Sequence, residues 1–321
     1  MNTEIGTDLF KALECIQSGK TVAVPTETVY GLAADANNEE AVLSIFEAKG
    51  RPTSNPLILH FDQLQTALPY TTAFPAIFET LYEAFCPGPL TFIVPKSSLV
   101  SALITGGQET VALRFPKHPM LQNLLQKLGL PLAAPSANLY GQLSPTSALH
   151  VQSQLAGRIP YILDGGSCNE GLESTIIGLW NNKVVVYRYG SITPEALSEV
   201  LGYLPDAKVH AGGTVLTSGM VKHHYATQTP LYLGVKPTHE QELAVQISLQ
   251  QDLTISGPQL ALSANGSMLD AARNLYATLH KADTLGLQKI YVAPFPNEGL
   301  GRAMNDRLGR AAAKFTKPFI F

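Results

Sequence analysis

Eight short apolar runs punctuate the first 200 residues of this chain: TVAVP, LILHF, TFIVP, VALRFP, LPLAAPSA, YILDGG, STIIGL and KVVVYRYG. Runs this short, rich in β-branched residues and bounded by Pro or Gly, read as strands. Segments with helical periodicity lie between the earlier ones: one ending at Gly19, then residues 39–48, 74–85 and 118–129. The last three strand runs follow one another directly, and a helix near residues 194–201 comes after them. Such a mixture predicts an α/β domain whose sheet is twisted and mixed, not purely parallel. The first twenty residues read as one amphipathic helix, with Leu9, Phe10, Leu13 and Ile16 on one face.

At 321 residues the chain is too long for one ordinary domain and suits two. Residues 205–229 carry glycines, short polar residues and three histidines with little periodicity, which predicts a linker or lid. Beyond it, LYLGV, QLALSA and KIYVAPF are strand-like. ELAVQISLQQ, MLDAARNLYATLHKADTLG and NDRLGRAAAKF are helix-like. The expected organisation is therefore a first domain over 1–204, a linker over 205–229 and a small α/β domain over 230–321.

Composition excludes several function classes. Apolar residues are 45% and charged ones 15%, enough to bury a core and inconsistent with global disorder. A formal net charge of −3 argues against a whole surface built for nucleic acid, while a local basic groove stays open. Cys15, Cys86 and Cys168 are odd in number and far apart, with no C-x-x-C pair, so neither a disulfide framework nor a zinc knuckle is indicated. No signal peptide and no apolar run of membrane-spanning length is found, and the expectation is a cytoplasmic protein.

The residues with chemistry cluster in a few runs. KGRPTSNPL, residues 49–57, places Lys49 and Arg51 two apart, so both point the same way in an extended segment. Pro52 and Pro56 stiffen the loop that carries Thr53, Ser54 and Asn55. A rigid loop of this kind suits phosphate, and a solvated basic turn is the plainer alternative. GKT at residues 19–21 is not a P-loop: Glu14 stands where the first glycine belongs, and a strand follows where a helix should. PTETVYGLAAD, residues 25–35, is either a capped turn into a helix or a hydroxyl-lined pocket edge. Arg114 in the apolar VALRFP run needs an anion, either a ligand carboxylate or an internal salt bridge. APSANLYGQLSPT (134–146) is small enough for backbone to approach a ligand. DGGSCNEGLESTI (164–176) reads as a glycine-rich connection, and VYRYG offers Arg188. His223 and His224 lack a third ligand nearby, so they do not predict a metal site. No Ser/His/Asp set stands out, which points to chemistry by positioning and charge.

Taken in order, PTETVYGLAAD, IFEAKGRPTSNPLILH, CPGPLTFIVP, VALRFP, APSANLYGQLSPT, DGG–EST and VYRYG resemble the threonylcarbamoyl-AMP synthases of the YrdC-type family. SGMVKHHYATQTPL resembles that family's lid motif. ARNLYATLHKAD and IYVAPFPNEGLGRAMNDRLGRAA resemble the C-terminal domain of its long form. The resemblance implies a YrdC-like sheet with a wide positive concavity and a Rossmann-like second domain. It implies that threonine, bicarbonate and ATP are converted to threonylcarbamoyl-adenylate and pyrophosphate. The product passes to a tRNA threonylcarbamoyl-transferase complex. Arg51, Asn55, Thr110, Ser136, Ser144, Arg188 and the lid residue Tyr225 match positions on the nucleotide. Thr28, His60, Arg114, Ser174 and the backbone at Ala134 match positions on threonine. Arg51 and Asn55 would hold phosphate and Lys49 would neutralise developing charge. Mg2+ is expected on the phosphates with few protein ligands, so no metal residues are assigned.

The lid departs from the family pattern: Ser218-Gly219-Met220 lacks a preceding proline, and Lys222-His223-His224 replaces the usual basic-aromatic run. Two readings compete with the synthase. One is a YrdC-like RNA-binding module without synthase activity, with tRNA contact left open. The other is carbamoyl transfer of the hydrogenase-maturation type, which needs acylphosphatase and zinc-finger segments that this chain lacks.

Overall fold

The computed structural model describes residues 2–208, 224–235, 243–251 and 257–315. Eleven strands form one sheet: β1 (Glu4–Gly6), β2 (Val22–Val24), β3 (Gly31–Asp35), β4 (Ile58–His60), β5 (Leu90–Pro95), β6 (Thr110–Arg114), β7 (Leu132–Ala133), β8 (Tyr161–Leu163), β9 (Thr175–Trp180), β10 (Lys183–Arg188) and β11 (Asp206–Ala207). Their order is β1-β8-β2-β3-β7-β4-β6-β5-β9-β10-β11, with parallel and antiparallel neighbours mixed as the sequence predicts. The main core lies on one face, where Phe78, Phe92, Phe115, Leu59 and Leu113 are buried with Ile45 and Phe46 of the helix Glu39–Lys49. On the other face Ile58, Ala112, Ile176, Val185 and Tyr187 form a small separate cluster. That thinly covered face is where a ligand can reach the sheet.

The second unit is a parallel sheet of β12 (Leu231–Leu233), β13 (Ala244–Ser248), β14 (Gln259–Ala261) and β15 (Lys289–Val292), ordered β12-β15-β13-β14. Helices Met268–Asp283 and Gly299–Ala312 accompany it. Its core is not self-contained: Val29, Leu143, Leu172 and Tyr225 are buried in the same cluster as Leu275, Ile290 and Leu308. Further bonds tie the units together. Ala226 N–H donates to the Gly141 carbonyl at 2.8 Å, and Arg273 Nε donates to the Asn169 carbonyl at 2.6 Å. Gly171 makes the second contact feasible, since a Cβ there would lie 2.2 Å from the Arg273 carbonyl.

Four local readings are corrected. ELAVQISLQQ, expected as a helix, contains β13, the strand between β15 and β14, with Val245 and Ile247 buried side by side on one face. Val245, Ile247 and Leu249 alternate with Gln246, Ser248 and Gln250, but Leu243 and Ile247 are also four apart, so the run satisfies helical spacing as well. The first twenty residues are not one helix: Glu4–Gly6 pair with β8, Asp8 caps the helix Leu9–Gln17, and Phe10 is 64% exposed while Ala12 and Ile16 are buried. PTETVYG leads not into a helix but into β3, which pairs antiparallel with β2. Part of residues 205–229 is also regular, since Asp206–Ala207 pair with β10.

His150 and His280 stack across the junction of the two units, ring centroids 4.0 Å apart. Burial holds both below the ordinary 6.5, with His280 adding to the effect on His150, which falls to about 4. Both are therefore neutral in the folded protein. The His150 contribution is complete above pH 6.5 and is lost as pH falls toward 4, by at most about 1.4 kcal/mol per pH unit, and His280 adds a loss in the same direction. Urea unfolding between pH 7.5 and 4.5 should show falling stability, and the slope should be shallower in His150→Gln.

Candidate active site

The site is built on the thinly covered face of the sheet, where β4 and β6 lie side by side. Register sets Ile58 against Ala112 and His60 against Arg114. Thr110, Ala112 and Arg114 share that face by strand alternation. Arg114 is 5% exposed, and its Nη2 donates to Glu27 Oε1 at 2.8 Å and Thr28 Oγ1 at 2.7 Å. Glu27 Oε2 accepts from Lys117 N–H at 2.9 Å. The internal salt bridge thus exists, yet Arg114 Nε has no partner among the described residues. Beside it, burial and the Arg114 charge lower His60 to about 3, so its ring is neutral at neutral pH.

The loop after the helix Glu39–Lys49 forms the next wall. Asn38 caps the helix start, and Gly50 ends it at φ 62, which turns the chain so that Arg51 follows directly. Lys49 is 2% exposed and donates from Nζ to the carbonyls of Ser136 and Asn138, 2.5 Å each. Among the described residues no carboxylate pairs with it, and burial followed by the nearby Arg51 charge drives its pKa well down. Arg51 donates from Nη2 to the Pro56 carbonyl at 3.0 Å, and burial lowers it to about 10, still charged at neutral pH. Asn55 Nδ2 donates to Tyr140 Oη at 2.8 Å. The two loops therefore clasp each other.

The third wall is the Glu173–Ser174 turn. Arg188, at the end of β10, donates from Nε to the Ser174 carbonyl and from Nη2 to Ser174 Oγ, 3.0 Å each. Ser174 Oγ also pairs with Thr91 Oγ1 at 2.7 Å. Gly190 allows this approach, because a Cβ there would lie 2.3 Å from the Glu173 carbonyl. Glu173 accepts from Ser144 Oγ at 2.5 Å, Tyr276 Oη at 2.9 Å and Arg307 Nε at 2.8 Å. Burial alone would raise its pKa; the Arg307 and Arg188 charges and the Ser144 bond overcome that and hold it at about 2.

These walls enclose one cavity. Arg51, Arg114, Arg188, Ile58, Glu173 and residues 134–136 line it, and Val29, His224 and Tyr225 complete the enclosure. Its free volume is about 30 Å3, room for very few waters. Tyr225 is 1% exposed, in the left-handed backbone region at φ 63, and its Oη has no partner among the described residues. His224 Nδ1 has none either; burial first, then the Arg51 charge, lowers that ring to about 3.

The sequence-predicted residues fall into groups. Arg51, Arg114, Ala134, Ser136, Arg188 and Tyr225 line the cavity. Thr28, His60 and Ser174 stand one contact behind the arginines. Lys49, Asn55 and Ser144 hold wall loops together, and Thr110 is on the same sheet face outside the wall. Glu27, Glu173 and His224 were within noted motifs but not assigned. Arg307 and Tyr276 had no local signal. Ser218, Gly219, Met220, Lys222 and His223 lie outside the described residues.

Comparison with known proteins decides the family. A family model described as "Telomere recombination", the Sua5/YciO/YrdC model, matches residues 14–190. The chain belongs to the Sua5/YciO/YrdC family. A second model, "Threonylcarbamoyl-AMP synthase, C-terminal domain", matches residues 192–313 and marks the long form. The chain is 37% identical to the threonylcarbamoyl-AMP synthase of Pyrococcus abyssi, over 92% of each chain, and 36% identical to that of Bacillus subtilis, over 94% of this chain and 92% of that one. The crystal structure of P. abyssi Sua5 complexed with L-threonine superposes with a TM-score of 0.88 at 35% identity, covering 97% of both chains. E. coli YciO shares the fold alone, at 23% identity and a TM-score of 0.51, over 59% of this chain and 94% of that one.

Two stability changes follow from the geometry. Tyr225→Phe removes a buried unpartnered hydroxyl and should leave the free protein as stable or up to roughly 1–3 kcal/mol more stable. Glu27→Gln strips Arg114 of its buried partner and should cost about 3 kcal/mol. Chemical denaturation of both variants without ligand measures each effect.

Proposed function

We propose that this protein is an L-threonylcarbamoyladenylate synthase, an adenylate-forming nucleotidyltransferase. One observation carries the reading beyond family membership: Arg114 Nε, His224 Nδ1 and Tyr225 Oη, all buried and unpartnered among the described residues, belong to residues that wall one cavity with Arg51 and Arg188. Buried polar groups left unpaired are costly, and anionic substrates satisfy them.

Threonine is placed against β4 and β6. Its carboxylate takes the open side of Arg114, while Thr28, His60, Ser174 and the backbone at Ala134 surround the rest. The nucleotide lies toward Arg51, Asn55, Ser136, Ser144 and Arg188, with Thr110 farther along the same face and Tyr225 as cover. The threonine amine takes up bicarbonate with loss of water to give a carbamate. A carbamate oxygen then displaces pyrophosphate from the α-phosphorus of ATP. Arg51 and Arg188 stabilise the charge on phosphorus and the leaving group. Lys49 acts from behind Ser136, through its field and by fixing that loop. Closure by Tyr225 keeps water from a labile mixed anhydride.

Glu27 and Glu173, the carboxylates of this site, are both committed to arginines, and no cluster of three His, Cys, Asp or Glu occurs among the described residues. These groups do not make a Mg2+ cage; the ATP phosphates would bring the ion, and no protein step depends on it. Residues 1–204 act as the catalytic domain, 205–229 as the lid and 230–321 as the accessory domain. The product is handed to a tRNA threonylcarbamoyl-transferase complex in the cytoplasm. Among the described residues no helix is long and apolar enough to cross a membrane.

Pyrophosphate release from ATP should require both L-threonine and bicarbonate. Arg51→Ala and Arg114→Ala should each lose at least about 100-fold in rate with the fold intact, because each arginine serves a ligand. Release without threonine, or full activity in Arg51→Ala, overturns the reading.

A further inference from the structure

The C-terminal unit reaches the cavity wall through Tyr276 and Arg307, which both donate to Glu173. Arg307, on the helix Gly299–Ala312, is 1% exposed and uses every side of its guanidinium. Nε donates to Glu173 Oε2 at 2.8 Å, Nη1 to Asp306 Oδ2 at 2.6 Å and Nη2 to the Tyr189 carbonyl at 2.6 Å. The guanidinium carbon lies 5.0 Å from the centre of the Tyr225 ring. Glu173 precedes Ser174, the residue that holds Arg188, and Tyr189 follows Arg188 in the chain. The fork therefore brackets Arg188 on both sides, while its flat face lies against the lid tyrosine.

We propose that Arg307 is a positioning residue for the cavity: it sets the placement of Arg188 and of Tyr225, so the C-terminal unit completes the site. This deepens the synthase reading and rests on it. A docking role alone accounts poorly for the geometry. A buried ion pair adds little net stability, because desolvation offsets the Coulomb gain. Its rigid three-way fork instead fixes directions, which a lysine at the same charge cannot reproduce. Most of the threonine side is separate, since Arg114, Glu27 and Thr28 bond one another with no bond from Arg307, and only Ser174 belongs to the turn that Arg307 holds.

The test compares full-length wild type, Arg307→Lys, Glu173→Gln and, as a control, Arg310→Lys. Arg310 is buried on the same helix and bonds Asp306 at 3.0 Å; neither arginine lines the cavity, and the arginine that bonds the lining residue Glu173 is Arg307. Arg307→Lys should lower kcat for pyrophosphate release about 10- to 100-fold, the scale of a misplacement near 1 Å. L-threonine affinity, measured by calorimetry without ATP, should fall less than kcat does, since Arg114 and Thr28 keep their bonds and only the Ser174 side of that subsite is loosened. Arg310→Lys should keep the wild-type kcat even where its melting temperature falls as far. Amide hydrogen exchange at residues 173–176, 187–190 and 225–227 should quicken in Arg307→Lys and Glu173→Gln but not at residues 26–28. The proposal is overturned if Arg307→Lys keeps wild-type kcat, if both lysine variants lose kcat equally, or if exchange in those segments is unaltered. Should wild type itself show no threonine-dependent release, the synthase reading fails, and the exchange pattern still decides the role of Arg307.

Discussion

Buried positive charge governs this structure. Lys49, Arg51, Arg114, Arg188 and Arg307 are each less than 8% exposed, and the carboxylates among them are Glu27, Glu173 and Asp306. Burying a cation costs far more than burying an amide unless partners supply compensation. The fold compensates unevenly. Carbonyls receive Lys49 and part of Arg51, Glu27 takes one side of Arg114, and Glu173 serves Arg307 and lies near Arg188. What remains is a cavity lined by three arginines and one carboxylate, Glu173.

The same constraint explains why the two units are inseparable in the core. Glu173 belongs to the first unit, yet two of its donors, Tyr276 and Arg307, come from the second. Val29, Leu143 and Leu172 are buried in the second unit's cluster together with Tyr225. A hydrophobic junction sets the units against each other, and the ionic contacts inside it give that junction a direction. The strained backbone at Tyr225 is held because its ring is packed between His224, Tyr276 and the Arg307 guanidinium.

Much of the fold was legible because strand periodicity and turn residues are local. The helix Glu39–Lys49 and the strands β5, β6, β9 and β10 lie where the patterns put them. ELAVQISLQQ was misread because Leu243 and Ile247 stand four apart and fit a helix as well as the alternation of Val245, Ile247 and Leu249 fits a strand, and the N-terminal strand β1 because three residues are too few to show a period. At the site, Arg51, Arg114 and Arg188 stood out as cations in apolar or rigid settings. Glu27 and Glu173 did not, since an acid beside threonine or serine in a turn looks like ordinary cap chemistry. Arg307 was invisible in NDRLGRAAAKF, where a helical arginine normally faces solvent.

Sequence by itself determined the elements, the mixed sheet and the identity of the cavity's cations, because periodicity, proline and glycine geometry and the mismatch of charge with apolar surroundings are properties of neighbouring residues. Tertiary structure alone decided which charges are paired. Arg114 meets Glu27 across 87 positions and Arg307 meets Glu173 across 134. Which side of Arg114 stays open, and that the C-terminal helix reaches the cavity wall, follow from how the sheet and the junction pack, since only packing sets the distance and burial that give a charge its value.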